Sequence, residues 1–396
     1  MSTTETPRGP ASARTLTLAA YASFVPIGIV TVLLGPLLPT LSARWALDYS
    51  QAGTLFPTQF WASTVAVGFS GLLVSRFGFR FAIKAGLILI SVSVVAMLAG
   101  SRLLGMVCIA GYGAGLGLAV PASNLLVAEV NPERRSAALN TVNFCWSVGA
   151  VACPFLVAAA VKGHRVGTFL ILEAGFSLVV ALGIAAMPAS IVEPAADRDV
   201  GKTGLKIDWK SPAFVVLAAL FFVYVGTENS FGGWVASYAK GLGTLSATMA
   251  LMTPSFFYAA LMLGRWVAPL LLRTIDEVKL ARIGVIVACV GMTGILLAHS
   301  LVPVVVSSSL AGLGLASVYP IIISLLSREF GAAASRVGSV MFTLANLGGG
   351  GLPWLVGISS TQLGALRVGL AVPLIGGVTM YVLFMRNWRV APAQEA

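Results

Sequence analysis

Apolar runs of 19 to 26 residues recur along this chain, separated by short polar breaks. They fall near residues 16–41, 51–74, 82–100, 104–128, 137–161, 167–187, 213–238, 246–271, 280–298, 301–326, 337–360 and 367–385. Each is long enough to cross a hydrocarbon core of about 30 Å as a helix, which needs roughly 20 residues. Barrel strands would be about ten residues long and would alternate apolar with polar positions; these runs do neither. The pattern predicts an all-α polytopic membrane protein with twelve transmembrane helices. The first run is too long for the apolar part of a signal peptide and reads as a true span.

The longest polar break, at 189–211, divides the runs six and six. Shifting the sequence by 199 residues aligns Gly113 with Gly312, Gly115 with Gly314, Pro121 with Pro320, Gly149 with Gly348 and Pro154 with Pro353. An ungapped register carrying two prolines and several glycines points to a duplicated six-span unit, a parallel repeat with the substrate held near midplane between the halves. The expected organisation is a tail (1–15), a six-helix bundle (16–188), a linker (189–211), a second six-helix bundle (212–386) and a tail (387–396). The four prolines are expected to bend spans four, five, ten and eleven.

Composition agrees with this reading. Of 396 residues, 58% are hydrophobic and 10% charged, too little charge to cover a soluble surface. The net charge of +11 invites a nucleic-acid partner, but the basic residues sit in short loops rather than in one patch, so none is expected. With the amino terminus inside, eighteen Lys and Arg face the cytoplasm and six the other side, leaving Arg265 within a span. Both termini are therefore expected to be cytoplasmic, in a multi-pass protein of the cytoplasmic (inner) membrane. Cys108, Cys145, Cys153 and Cys289 lie in apolar runs without ligand spacing, and only two histidines exist. Neither a metal, a cofactor nor an enzyme activity is expected. Gly111 to Gly117 form no dinucleotide motif and suit close helix packing.

One ionisable group changes the picture. Glu228 sits mid-run in span seven, where a charged group costs at least about 2.5–3.5 kcal/mol. At 100° per residue it shares an arc with Tyr224, Thr227, Phe231, Trp234 and Tyr238, a face expected to look into a cavity. The loop bias places it slightly to the outer side of midplane. Arg265 in span eight is the opposite charge, placed toward the cytoplasmic end of its span and at the edge of reach. Glu173 lies in span six.

Gly71-Leu-Leu-Val-Ser75-Arg76-Phe-Gly78-Phe-Arg80, between spans two and three, resembles the major facilitator loop pattern G-x-L-a-D-R-x-G-R-[RK]. Ser75 stands at the pattern's aspartate and Phe79 at its first late arginine. Gly115-Leu-Gly-Leu, Asn124, Leu139-Asn140, Ser147-Val-Gly149, Tyr319-Pro320 and Tyr224-Val-Gly-Thr-Glu228 with Gly233-Trp234 are similar to the fucose-permease-like group of sugar transporters. The resemblance implies the major facilitator fold, a small-molecule substrate and, in several members, a coupled cation. The chain departs from that group in having no acid in span one, Val120 where the span-four glutamate aligns, and Asn143 where the group has glutamine.

On that reading the substrate-binding candidates are Gln59, Asn124, Asn143, Phe144, Tyr224, Glu228, Trp234, Tyr319 and Asn346. Amides both donate and accept, which suits sugar hydroxyls, and Trp234 and Tyr319 can stack on a ring's apolar face. Glu228 is the proton-coupling candidate. Arg76, Arg80, Glu129, Arg134, Arg135 and Arg328 are candidates for a cytoplasmic gate of charge pairs. The expected function is secondary transport of a small polar solute, a sugar on the resemblance, by alternating access, coupled to a proton or another cation. A monomer in the lipid bilayer is expected. The competing readings are proton-driven export of an amphipathic compound and a non-transporting solute sensor.

Overall fold

The computed structural model describes residues 10–188, 208–386 and 388. Among them every regular element is helical. Twelve helices are long and apolar enough to span a membrane: α1 (Ser12–Val32), α2 (Tyr49–Phe77), α3 (Phe79–Ala99), α4 (Arg102–Val130), α5 (Ala137–Lys162), α6 (Val166–Ala185), α7 (Pro212–Gly241), α8 (Ala247–Leu271), α9 (Glu277–Leu297), α10 (Leu301–Phe330), α11 (Arg336–Gln362) and α12 (Leu366–Phe384). They match the apolar runs one for one. Most of the 189–211 linker, residues 1–9 of the first expected tail and all of the second but residue 388 lie outside the described residues.

Local chemistry starts these helices. Ser101, Ser211 and Ser246 each accept the backbone N–H three residues on, and Asp276 accepts those of Val278 and Lys279. Pro212 occupies the first turn of α7, where its missing N–H costs nothing. Gly78, the turn between α2 and α3, has φ +86°, a conformation that strains any residue with a Cβ.

Prolines act unevenly. α10 is interrupted at Ala316–Ser317, four residues before Pro320, whose ring removes the N–H that would bond Ala316. A comparable break at Leu33, before Pro36, separates α1 from a further helix, Leu34–Trp45, so the first apolar run is two helices rather than one. By contrast the helices run unbroken through Pro121, Pro154 and Pro353.

The described residues group into two compact units, those of 10–31, 62–152 and 165–188 in one, those of 32–61, 153–164 and from 208 onward in the other. In unit 1, α3 packs on α4 and α6; in unit 2, α9 packs on α10 and α12. The duplication is written in glycines. Gly86 of α3 and Gly115 of α4 lie against each other's backbone, as Gly284 of α9 and Gly314 of α10 do in the other unit. Likewise Gly28 of α1 meets α5 at Trp146 and Gly149, and Gly226 of α7 meets Gly348 of α11. Without a hydrophobic driving force between helices in lipid, such close backbone approach is a principal source of cohesion.

Each unit also ties its last helix to its third. Arg80 of α3 donates to the Met187 and Ile184 carbonyls at the end of α6, at 2.7 and 3.4 Å. Arg282 of α9 donates through Nε and Nη2 to the Phe384 carbonyl ending α12, at 3.0 and 2.7 Å. The last carbonyls of a helix have no partner within it, and a basic side chain satisfies them while complementing the helix dipole.

Candidate functional site

Unit 2 assembles the ionisable residues around Glu228. Tyr224 precedes it by one turn and is 1% exposed. The Tyr224 hydroxyl donates to the Leu315 carbonyl at 3.3 Å, immediately before the break in α10, where a carbonyl has lost helical order and takes an outside donor. The Tyr319 ring, just past the break, stacks on Tyr224 with centroids 5.3 Å apart and planes at 27°. Phe221 meets Tyr319 edge-on at 5.9 Å and Phe342 of α11 at 5.7 Å.

Arg265 of α8 brings its Nη2 to 4.0 Å from the Glu228 Oε1, with 21% and 12% of the two side chains exposed. The Tyr224 phenol lies close to both charges. Arg265 is therefore not too distant, contrary to what its position along α8 suggests. Glu228 lies thirteen residues before the end of α7 at Gly241, and Arg265 eighteen after the start of the following helix at Ala247. At 1.5 Å per residue the offset is about 7 Å, which a long arginine side chain spans.

Tyr258 is a further member that the sequence reading missed. It is 5% exposed and precedes Arg265 by two turns, on the same face of α8, with its hydroxyl over Gly232 of α7. The seven-residue spacing was the available signal. The cluster thus offers one carboxyl, one guanidinium and three phenols, able to donate and accept hydrogen bonds. Among the described residues no group of His, Cys, Asp or Glu is placed to hold a metal ion.

The predicted arc of α7 divides in two. Its Gly241 end is sealed: Trp234 is 1% exposed and donates Nε1–H to the Pro353 carbonyl at 2.9 Å. Phe56 and Tyr49 of α2 lie 5.9 and 6.2 Å from its ring, and Gly35 closes on Gly232 and Gly233. In this state the Trp234 ring is a packed plug without a free face for a substrate. Phe231 packs on Phe257 at 5.1 Å, and Thr227 points at Gly376 of α12 rather than into a cavity.

Other candidates are placed as follows. Gln59 is buried (2% exposed) and Asn346 half-buried, both in unit 2. In unit 1, Asn124 and Asn143 donate to carbonyls one turn back on their own helices, at 3.1 and 2.9 Å, and Phe144 is 52% exposed. Of the gate candidates, Arg80 is committed to the end of α6. Arg328 pairs with Glu277 of α9 at 3.0 Å, within unit 2, and Ser324 donates to the same carboxylate. Arg76, Arg134 and Arg135 are exposed and Glu129 is half-buried. Ser75, at the loop pattern's acidic position, donates to the Leu72 carbonyl of its own helix.

Known proteins share this fold. The family model described as Major Facilitator Superfamily matches residues 20–353. A glucose/galactose transporter of Brucella abortus is 24% identical over 374 residues, covering 88% of each chain. The glucose/mannose transporter of Bacillus subtilis is 22% identical over 369 residues, covering 87% of this chain and 88% of that one. Among solved structures, a D-xylose–proton symporter superposes with a TM-score of 0.76 at 16% identity, covering 96% of this chain and 98% of that one. A variant of the Escherichia coli fucose:proton symporter gives 0.65 at 18%, covering 94% and 98%. At such identities the structures speak to the fold alone. The family match takes in most of the chain, and its twelve helices and paired repeat agree with it: the protein is a multi-pass membrane protein that belongs to the Major Facilitator Superfamily.

Proposed function

We propose that this protein is a secondary transporter of a small polar solute, a monosaccharide in the first instance, coupled to protons through Glu228. The observation that carries the reading is the Glu228–Arg265 pair, 4.0 Å apart within the membrane-spanning helices and flanked by Tyr224, Tyr258 and Tyr319. Buried charges in a membrane protein are costly and mark substrate or ion pathways. The names of its relatives, a glucose/galactose transporter and a glucose/mannose transporter, support a sugar as cargo. The likeness in fold to a D-xylose–proton symporter supports the coupling.

In this mechanism the ionised Glu228 attracts Arg265, and sugar hydroxyls exchange hydrogen bonds with the carboxylate, the guanidinium and the phenols. Protonation cancels the attraction and frees Arg265, which loosens α7 from α8. Alternating access then requires the Trp234 plug to open, with its indole leaving the Pro353 carbonyl. Gln59, Asn124, Asn143, Phe144 and Asn346 remain the proposed further ligands, and Arg76, Glu129, Arg134 and Arg135 the proposed gate. We propose further that it acts as a monomer in the cytoplasmic membrane; the positive-inside count supports both termini lying inside.

Proteoliposomes test this. Wild type is expected to accumulate a labelled hexose under an inward proton gradient. Glu228→Gln is expected to lose accumulation yet keep sugar exchange at equal concentrations. Gradient-independent uptake in both proteins would sink the coupling; binding without flux would favour a sensor.

A further inference from the structure

The outer face of unit 2 carries an apolar groove between α9 and α12, with a volume of about 550 Å³. Val285, Ile286, Cys289, Val290, Thr293 and Leu297 line it from α9, and Val378 and Tyr381 from α12. Its floor at Val285 is fully buried, while Ile286, Val290, Leu297 and Val378 stand 48–64% exposed along the rim. From Val285 to Leu297 the groove runs about 18 Å at 1.5 Å per residue. That is close to the depth of one leaflet of a core about 30 Å thick. In a helix that crosses the bilayer, such a groove faces acyl chains, not water.

The end of the groove nearer the termini is basic. Arg282 lies one turn before Val285 and Ile286 on α9 and bridges to the Phe384 carbonyl, one turn after Tyr381 on α12, so its guanidinium closes the groove. Lys279 continues the same face of α9. Arg386 follows α12, and its buried Nη1 has no partner among the described residues; its guanidinium stands 5.3 Å from the Trp388 ring. The two carboxylates that begin α9 are already engaged, Asp276 by backbone N–H groups and Glu277 by Arg328 and Ser324.

We propose that this groove is a lipid site, holding one acyl chain of an anionic phospholipid whose phosphate rests on Lys279, Arg282 and Arg386. The apolar channel supplies depth, and the basic cluster at its mouth selects the headgroup. Basic pockets between transmembrane helices on the cytoplasmic side favour anionic lipid in this way. The site is separate from the Glu228 cluster, and the proposal stands whether or not the transported solute is a sugar.

The test is native mass spectrometry of the full chain, delipidated and titrated with phosphatidylglycerol or with phosphatidylcholine of the same chains. Wild type is expected to retain phosphatidylglycerol preferentially. Lys279→Gln and Arg386→Gln should each erode that preference by about fivefold, the contribution of one basic side chain near the surface. Val290→Trp fills the groove from its lipid-facing rim and leaves the basic cluster intact; it should reduce retention of both lipids. Equal retention of the two lipids by wild type would overturn the proposal. So would unchanged retention in a monodisperse Val290→Trp protein, or a second copy of the chain cross-linked across this face.

Discussion

The Glu228–Arg265 pair makes a quantitative prediction. At 4.0 Å two unit charges attract by about 4 kcal/mol at an effective dielectric of 20. Side-chain exposures of 12% and 21% admit some screening, and both groups have lost much of their hydration. The net coupling expected is therefore smaller, about 1–3 kcal/mol. Glu228→Gln leaves a guanidinium without its counter-charge among the tyrosines, and Arg265→Gln leaves a carboxylate in the same position. Each single change should destabilise by about 3 kcal/mol, the lower end for breaking a buried pair. The double change removes both charges and should cost clearly less than the sum. Equilibrium unfolding in mixed micelles of wild type, both singles and the double would measure the cycle. Additivity to within about 0.5 kcal/mol would mean that the charges do not sense each other, and the proposed proton-dependent release of Arg265 would fall with it.

Three further outcomes are expected. Trp234→Phe keeps most of the ring packing against Phe56 and Tyr49 but loses the 2.9 Å bond to the Pro353 carbonyl, so unfolding measurements should show a loss of about 0.5–1.5 kcal/mol. Gly348→Ala drives a Cβ into the Phe222 carbonyl of α7, whereas at Gly351 the nearest atom stands 4.0 Å from the new Cβ; the first should lose about 1–3 kcal/mol and much of the folded yield on size exclusion, the second little. Arg328→Gln breaks a pair whose partners are 37% and 31% exposed, so stability should fall by less than about 1 kcal/mol; a large fall in the same unfolding assay would contradict a surface role.

Much of the architecture was legible because it is one-dimensional. A run of apolar residues matched to bilayer thickness must become a helix, since no other backbone satisfies its own hydrogen bonds in lipid. The repeat was legible because glycines at helix crossings cannot be replaced without moving backbones apart. The pairs Gly86–Gly115 and Gly284–Gly314, and Gly28–Gly149 and Gly226–Gly348, therefore recur at nearly constant offset. Glu228 was legible by its cost. Less was visible where a side chain's length or a neighbour's packing decides the outcome. Arg265 reaches Glu228 across an axial offset, Trp234 is covered by residues nearly two hundred positions away, and Arg80 bonds the carbonyls that end α6.

The chain by itself determined the number of spans, their pairing into repeats and the one face of span seven where a carboxylate sits among aromatics. These follow from hydrophobic length and helical periodicity, which do not depend on what lies alongside. Only the tertiary structure decided which half of that face meets Arg265 and which is sealed by Trp234. Rotation of each helix about its axis, and the breaks at Leu33 and Ala316–Ser317, are set by neighbours that periodicity cannot name.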